Sequence, residues 1–176
     1  NPRFIEAHRL GVFSARSTDV DVVLDLMIHD LDVILSLVDA PLAGVDAVGV
    51  NALTDKIDIA NARIRFANGC VANLTASRIS VERVRKLRFF EADRYVSVDC
   101  AAQEAVAYTL RRATGGRPEI VQEPIDIRRE EPLAVELRSF MGSVRGGGEP
   151  GVSAEEGLRA LRAAFQVVEQ IGSTRG

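Results

Sequence analysis

The chain has 176 residues, about the length of one domain, and a chain of this size buries roughly 70% of its unfolded surface, so we expect residues 1–176 to form a single domain. Its 47% hydrophobic and 27% charged residues are ordinary for a globular protein and exclude a disordered or fibrous chain. The net charge of −3 argues against nucleic acid binding, although 20 of the 22 basic residues are Arg and leave a local anion site open.

The two cysteines and the apolar segments bear on where the protein works. Cys70 and Cys100 stand singly in strand-like segments without the paired spacing of zinc ligands, which predicts free thiols in a reducing compartment. The most apolar stretch, Val22 to Val38, is interrupted by charged residues, so no membrane span is expected. We expect a cytoplasmic protein that binds neither nucleic acid nor membranes.

The first part of the chain predicts a strand and then a long helix. Phe4 to Leu10 has the composition of a short strand, and the turn formers and N-cap candidates that follow it mark the start of a helix. Val22 to Val38 is apolar around much of its circumference, which indicates a helix buried on most sides.

From Val45 to about Ile127, short runs rich in Val, Ile and Phe alternate with turn residues and predict four to six antiparallel strands. The clearest signal is Asn68-Gly69, a favoured hairpin turn, between segments that alternate apolar and polar residues. Further candidate strands are Lys86 to Glu91, Arg94 to Cys100, Glu104 to Arg111 and Glu119 to Ile127.

Two helices are predicted to end the chain. Pro132 opens the first of them, and a run of three glycines from Gly146 ends it. The second follows the capping-box spacing of Ser153 and Glu156. The chain contains no GxGxxG or GxxxxGKS loop for a nucleotide. The order predicts an α+β fold, an open and mostly antiparallel sheet with helices packed on one face.

Polar residues form a stripe along one side of the first helix. At helical spacing they fall on a narrow sector and are Asp21, Asp25, His29, Asp32 and Ser36. Asp25 and His29 are four residues apart, so the carboxylate could orient the imidazole as a general base. The stripe could equally be a solvated helix surface with an incidental pair, and spacing alone leaves both interpretations open.

The string VVLDLMIHDLDVILSLV resembles the catalytic helix of the Gfo/Idh/MocA oxidoreductases, in which an Asp is followed after three residues by a His and after two more by an Asp. Here these are Asp25, His29 and Asp32. The preceding strand, the hairpins and the terminal segment EPGVSAEEGLRAL also resemble that family's C-terminal domain in order and spacing.

The resemblance implies a C-terminal domain like that of glyceraldehyde-3-phosphate dehydrogenase, working with an N-terminal Rossmann domain that binds NAD or NADP. It assigns His29 as acid/base on a sugar hydroxyl and Asp25 as a substrate contact. We expect Arg16, Asp32 and Arg78 to bind the substrate, a sugar or a nucleotide-linked sugar. The resemblance further implies a homo-oligomer assembled through the open sheet face.

Two other functions remain open at this point. Asp25, His29 and Asp32, with His8 from the neighbouring strand, could be the ligands of a metal-dependent hydrolase. Alternatively, the domain could be an interaction module without catalysis, in which the sheet mediates assembly and the Asp25 and His29 pair is structural.

Overall fold

The computed structural model describes residues 1–15, 18–112 and 117–173. The strands of this part are β1 (Phe4–Leu10), β2 (Leu42–Val50), β3 (Ile59–Phe66), β4 (Val71–Ser77), β5 (Val84–Phe90), β6 (Arg94–Asp99), β7 (Glu104–Arg111) and β8 (Glu119–Pro124). The helices are a π-helical segment (Val23–Met27) that continues into α1 (Ile28–Leu37), then α2 (Pro132–Gly146) and α3 (Ala154–Ser173).

The eight strands form one sheet in the order β2-β3-β4-β1-β5-β6-β7-β8. All neighbouring strands are antiparallel except β1 and β4, which run parallel. The first strand, β1, therefore lies in the middle of the sheet. Its C-terminal end is beside the π-helical segment that leads into α1. The predicted α+β fold with an open, mostly antiparallel sheet is confirmed.

The two faces of the sheet differ as the hairpin sequence predicts. On β3 and β4, Ala62, Ile64 and Leu74 are buried, whereas Asn61 and Arg63 on the other face are exposed. The π-helical segment, α1 and α3 pack over the buried side, and their apolar residues join those of the strands in one core. We call the side without helices the open face.

The start of α3 confirms the predicted capping box. The Ser153 backbone N–H donates to Glu156 Oε2 at 2.7 Å, and the Glu156 N–H donates to Ser153 Oγ at 3.2 Å. Behind this cap, Val167 and Ile171 are fully buried against the sheet. The predicted start of this helix is therefore correct.

The strand β2 was not predicted, and the count of four to six strands was too low. Its sequence LAGVDAVGV is rich in Ala and Gly, which have low strand propensity and hide the alternation. Gly49 has a structural reason, because a β-carbon there would lie 2.9 Å from Ile57 Cγ2 and 3.0 Å from Ile171. The glycine thus lets α3 approach the sheet closely.

A row of aromatic rings crosses the open face. Phe4, Phe90, Tyr95 and Tyr108 lie on neighbouring strands, with ring centroids separated by 5.7, 4.9 and 5.8 Å. Each ring is only partly covered. The open face therefore combines a polar half on β2 to β4 with an aromatic half on β1 and β5 to β7.

The helix α2 differs from the other two because none of its residues is buried. Its large apolar residues are exposed, and Leu137 and Phe140 are more than half exposed. No helix among the described residues has the length and apolar character to cross a membrane. Cys70 is buried and Cys100 exposed, and both are free thiols, as predicted.

Candidate functional site

The polar stripe begins at a residue that anchors the helix. Asp21 Oδ1 accepts a hydrogen bond from the Ile57 N–H at 2.9 Å, and the Asp21 carbonyl accepts from the N–H groups of Leu24 and Asp25. The Val22 N–H donates to the Ile57 carbonyl. Asp21 therefore ties the helix to the segment before β3 and has a structural role.

Asp25 lies in the π-helical segment and His29 in the first turn of α1. Single π-turns are rare in proteins and are frequent at functional sites. Asp25 is half-buried, and the His29 side chain is exposed. Among the described residues no hydrogen bond or ion pair joins Asp25 to His29. A π-turn holds more residues than an α-turn, so side chains four positions apart are not aligned as they are in an α-helix. His29 is therefore not a core histidine, and its ring is accessible.

The next residue, Asp30, is buried and forms a bidentate pair with Arg9 of β1. Arg9 Nε donates to Asp30 Oδ2 at 3.0 Å, and Arg9 Nη2 donates to Oδ1 at 2.6 Å. Sequence reasoning missed this pair. The signal was present, since Arg9 alternates with Ile5 and Ala7 and must point to their buried side of the sheet.

A cavity of about 240 Å³ opens between the ends of these elements. Its charged lining residues are Arg9, Asp25, Arg78, Arg83 and Arg85, and we call it the arginine cavity. It lies where β1 ends, β5 begins and the helix starts. Four guanidinium groups and one carboxylate thus meet at the position from which the helix presents Asp25.

Arg78 takes part in a buried network at one wall of this cavity. Its side chain is 6% exposed, its Nε lies 3.2 Å from Asp58 Oδ1, and its Nη2 donates to the carbonyls of Val20 and Ile57. The predicted substrate-binding residue therefore lines the cavity and also joins three segments of chain. Substrate contact by Arg78 stays a prediction.

Asp58 is fully buried and is held by the loop that precedes it. Burial alone raises the pKa of Asp58, but hydrogen bonds from the amides of Leu53, Thr54 and Ala52 and from the Thr54 hydroxyl outweigh burial, and the net pKa lies well below the usual range. The carboxylate is therefore charged at neutral pH and balances Arg78.

The positions of the other two predicted substrate residues, Arg16 and Asp32, say less about substrate binding. Arg16 lies outside the described residues. Asp32 is half-buried on α1, one turn after His29. Its role in substrate binding stays a prediction.

The proposed hydrolytic metal site is not assembled in the described part of the chain, where no group of three His, Cys, Asp or Glu side chains could hold a metal ion. His8 pairs in register with Thr75 and Lys86, and it lies on the open face, because its neighbour Arg9 faces the helices. His8 and His29 are thus on opposite sides of the sheet.

A larger cavity of about 820 Å³ lies beside the exposed helix α2 and is lined by residues such as Val135, Phe140 and Val152. It contains none of the candidate catalytic or substrate residues. Its volume reflects the open surface of α2, and the arginine cavity is the better candidate site because it includes Asp25.

The comparison with protein families gives a direct match. Residues 6–95, just over half of the chain, match the GFO/IDH/MocA C-terminal domain. The chain is also 43% identical, over 94% of its residues, to the UDP-N-acetylglucosamine 3-dehydrogenase of Acidithiobacillus ferrooxidans. It spans only 53% of the length of that enzyme.

Solved structures agree with this match. The crystallised dehydrogenase from Acidithiobacillus ferrooxidans superposes with a TM-score of 0.89 at 41% identity, covering 98% of this chain and 55% of that one. An NAD-binding protein from Listeria innocua has a TM-score of 0.79 at 17% identity, covering 99% and 54%. Levoglucosan dehydrogenase, in complex with NADH and L-sorbose, has a TM-score of 0.78 at 17% identity, covering 97% and 56%. The last two share the fold.

Proposed function

The chain belongs to the GFO/IDH/MocA family, of which it is a C-terminal domain, and from this premise we propose that residues 1–176 are one substrate-binding and assembly domain of an oxidoreductase. The enzyme uses NAD or NADP and acts on a hydroxyl of a sugar or a nucleotide-linked sugar. The observation that carries the proposal is the accessible His29, one turn beyond Asp25 of the arginine cavity.

In this proposal His29 is the general acid/base. An imidazole nitrogen of its exposed side chain takes the proton of the reacting hydroxyl. Asp25 binds a neighbouring sugar hydroxyl from the cavity wall. Because Asp25 makes no hydrogen bond to His29 in the described structure, the two act on the substrate from separate positions, with Asp32 and Arg78 as further substrate contacts.

The described residues hold no glycine-rich turn for a dinucleotide, so in this proposal the cofactor is bound mainly by another part of the protein. When bound, the nicotinamide accepts or supplies the hydride. This chain contributes the acid/base and the substrate contacts. The class of substrate is supported by the dehydrogenase from Acidithiobacillus ferrooxidans, which acts on UDP-N-acetylglucosamine.

The aromatic row supports assembly through the open face. Interfaces between subunits are enriched in Tyr and Phe, and here Phe90 and Tyr95 lie between other partly exposed rings of the row. We propose that two copies of the domain pack through this face in a homo-oligomer. The free thiols of Cys70 and Cys100 agree with a cytoplasmic enzyme.

The test of the proposed activity uses the complete enzyme with UDP-N-acetylglucosamine, its epimers and free sugars, each with NAD or NADP. We expect reduced nicotinamide to form with at least one nucleotide-linked sugar and the His29→Ala variant to lose most of this turnover. A folded enzyme that reduces neither cofactor with any sugar of the panel would contradict the proposal.

Assembly is tested separately by light scattering on the enzyme and on a Tyr95→Lys variant. A charged residue in the centre of the aromatic row should dissociate the oligomer, whereas Arg162→Glu on the exposed part of α3 should leave it intact. A wild-type protein that stays monomeric at high concentration would contradict assembly through the open face.

A further inference from the structure

The arginine cavity contains a juxtaposition of like charges that the acid/base reaction does not require. Arg9 on β1 and Arg85 on β5 are directly opposite in the antiparallel register. Both side chains point to the face that carries the helices, because Ala7 and Leu87, two residues away on the same strands, are buried on that face. Like charges directly opposite on neighbouring strands are destabilising unless another charge compensates them.

Two of the four arginines in the cavity already have carboxylate partners. Arg9 is paired with the buried Asp30, and Arg78 with the buried Asp58. Within the part of the chain that the structure describes, Arg83 and Arg85 make no ion pair. Both are exposed at the mouth of the cavity. The charges left on the cavity lining are therefore the two guanidinium groups of Arg83 and Arg85 and the carboxylate of Asp25, a net positive charge.

We propose that Arg83 and Arg85 bind the diphosphate of a nucleotide-linked sugar. This inference rests on the proposed function. It places the diphosphate of the substrate, which Asp25 and His29 do not contact, in the same cavity. A guanidinium presents two parallel N–H donors that match the oxygens of a phosphate. Two adjacent guanidinium groups therefore fit a diphosphate better than they fit a single carboxylate.

The geometry orders the substrate along the cavity. Asp25 lies on the helix side and binds the sugar, while Arg83 and Arg85 lie at the start of β5 and hold the diphosphate. Because Asp30 already balances Arg9, the positive charge available to the diphosphate is that of Arg83 and Arg85. Free sugars lack this anchor, and the site therefore selects nucleotide-linked sugars over them.

The test measures the binding of uridine diphosphate, inorganic pyrophosphate and uridine to the complete enzyme by calorimetry. The variants are Arg83→Gln, Arg85→Gln and the double substitution. The matched control is Arg162→Gln, which removes the same charge from an exposed position on α3 outside the cavity. We expect the double variant to bind uridine diphosphate and pyrophosphate ~10- to 100-fold more weakly, with uridine binding and the control unchanged.

A kinetic readout separates this inference from the proposed function. The double variant should raise KM for the nucleotide-linked sugar with little change in kcat, because the diphosphate is held equally in the ground and transition states. Unchanged affinity of the double variant for uridine diphosphate, or no binding by the wild type, would overturn the diphosphate site whatever the turnover. Arginine-dependent binding without turnover would support the site and contradict the oxidoreductase.

Discussion

Arg9 and Asp30 connect the central strand of the sheet to the candidate catalytic helix through two parallel hydrogen bonds of 3.0 and 2.6 Å. Their side chains are 14% and 6% exposed. Asp30 immediately follows His29, so the pair fixes the rotation of α1 about its axis. With Asp30 turned towards β1, His29 is left at the surface of the helix layer.

Removing one partner of this pair leaves the other charge poorly solvated. We therefore expect Asp30→Ala to lower the free energy of unfolding by about 3 kcal/mol, as found for broken buried pairs. The control is Asp46→Ala, which breaks the exposed pair with Arg65 and should cost less than about 1 kcal/mol. Urea unfolding of both variants gives the comparison, and equal losses would mean that the Arg9–Asp30 pair is no more important than a surface one.

Much of the fold could be predicted from the sequence, because the alternation of apolar and polar residues in strands and the capping of helices are local signals. The hairpin around Asn68-Gly69 and the start of α3 at Ser153 were correct for that reason. The π-turn before His29 could not be predicted, since it depends on how the helix start is held against the segment at Ile57. Arg83 and Asp25 line the same cavity because of the order of the strands in the sheet. Hydrophobic periodicity in the sequence does not reveal that order.

The buried Asp58 makes stability depend on acid. Its pKa is lowered in the folded protein, whereas an unfolded Asp titrates at about 3.9. The resulting stabilisation is fully present above the unfolded pKa and is lost as the pH falls towards the folded one. We expect the free energy of unfolding to decrease from about pH 5 to about pH 2, and less steeply in Asp58→Asn.

The control for this titration is Asp55→Asn in the same loop, an exposed aspartate whose side chain receives none of these bonds. Its pH dependence should match the wild type. Urea midpoints at a series of pH values make the comparison. Parallel curves for wild type and Asp58→Asn would show that another group causes the acid sensitivity.

Gly49 sets the distance between β2 and α3. A methyl group there would lie 2.9 Å from Ile57 and 3.0 Å from Ile171, both buried, so Gly49→Ala should lower the free energy of unfolding by about 1–3 kcal/mol. Gly44→Ala on the same strand is the matched control, because its methyl group would meet only the flexible Arg65 side chain. Thermal unfolding should show a lower Tm for Gly49→Ala alone, and equal values would mean that α3 can shift.

The roles of His29 and Asp25 can be measured in the complete enzyme. His29→Ala should reduce turnover by ~10²–10⁴-fold, the usual contribution of a positioned acid/base group. Because the side chain is exposed, its removal should change stability by less than about 0.5 kcal/mol. His8→Ala, which removes the other histidine from the open face, is the matched control and should retain turnover.

Asp25→Asn should reduce turnover by a smaller factor, since it weakens substrate positioning and leaves the acid/base in place. The two side chains act on one bound substrate, so the double variant should lose less than the product of the two single losses. Steady-state kinetics and urea unfolding of the four proteins provide both quantities. If His29→Ala keeps near-wild-type turnover while folded, the histidine is only a surface residue of the helix, and the proton transfer must be assigned to another group.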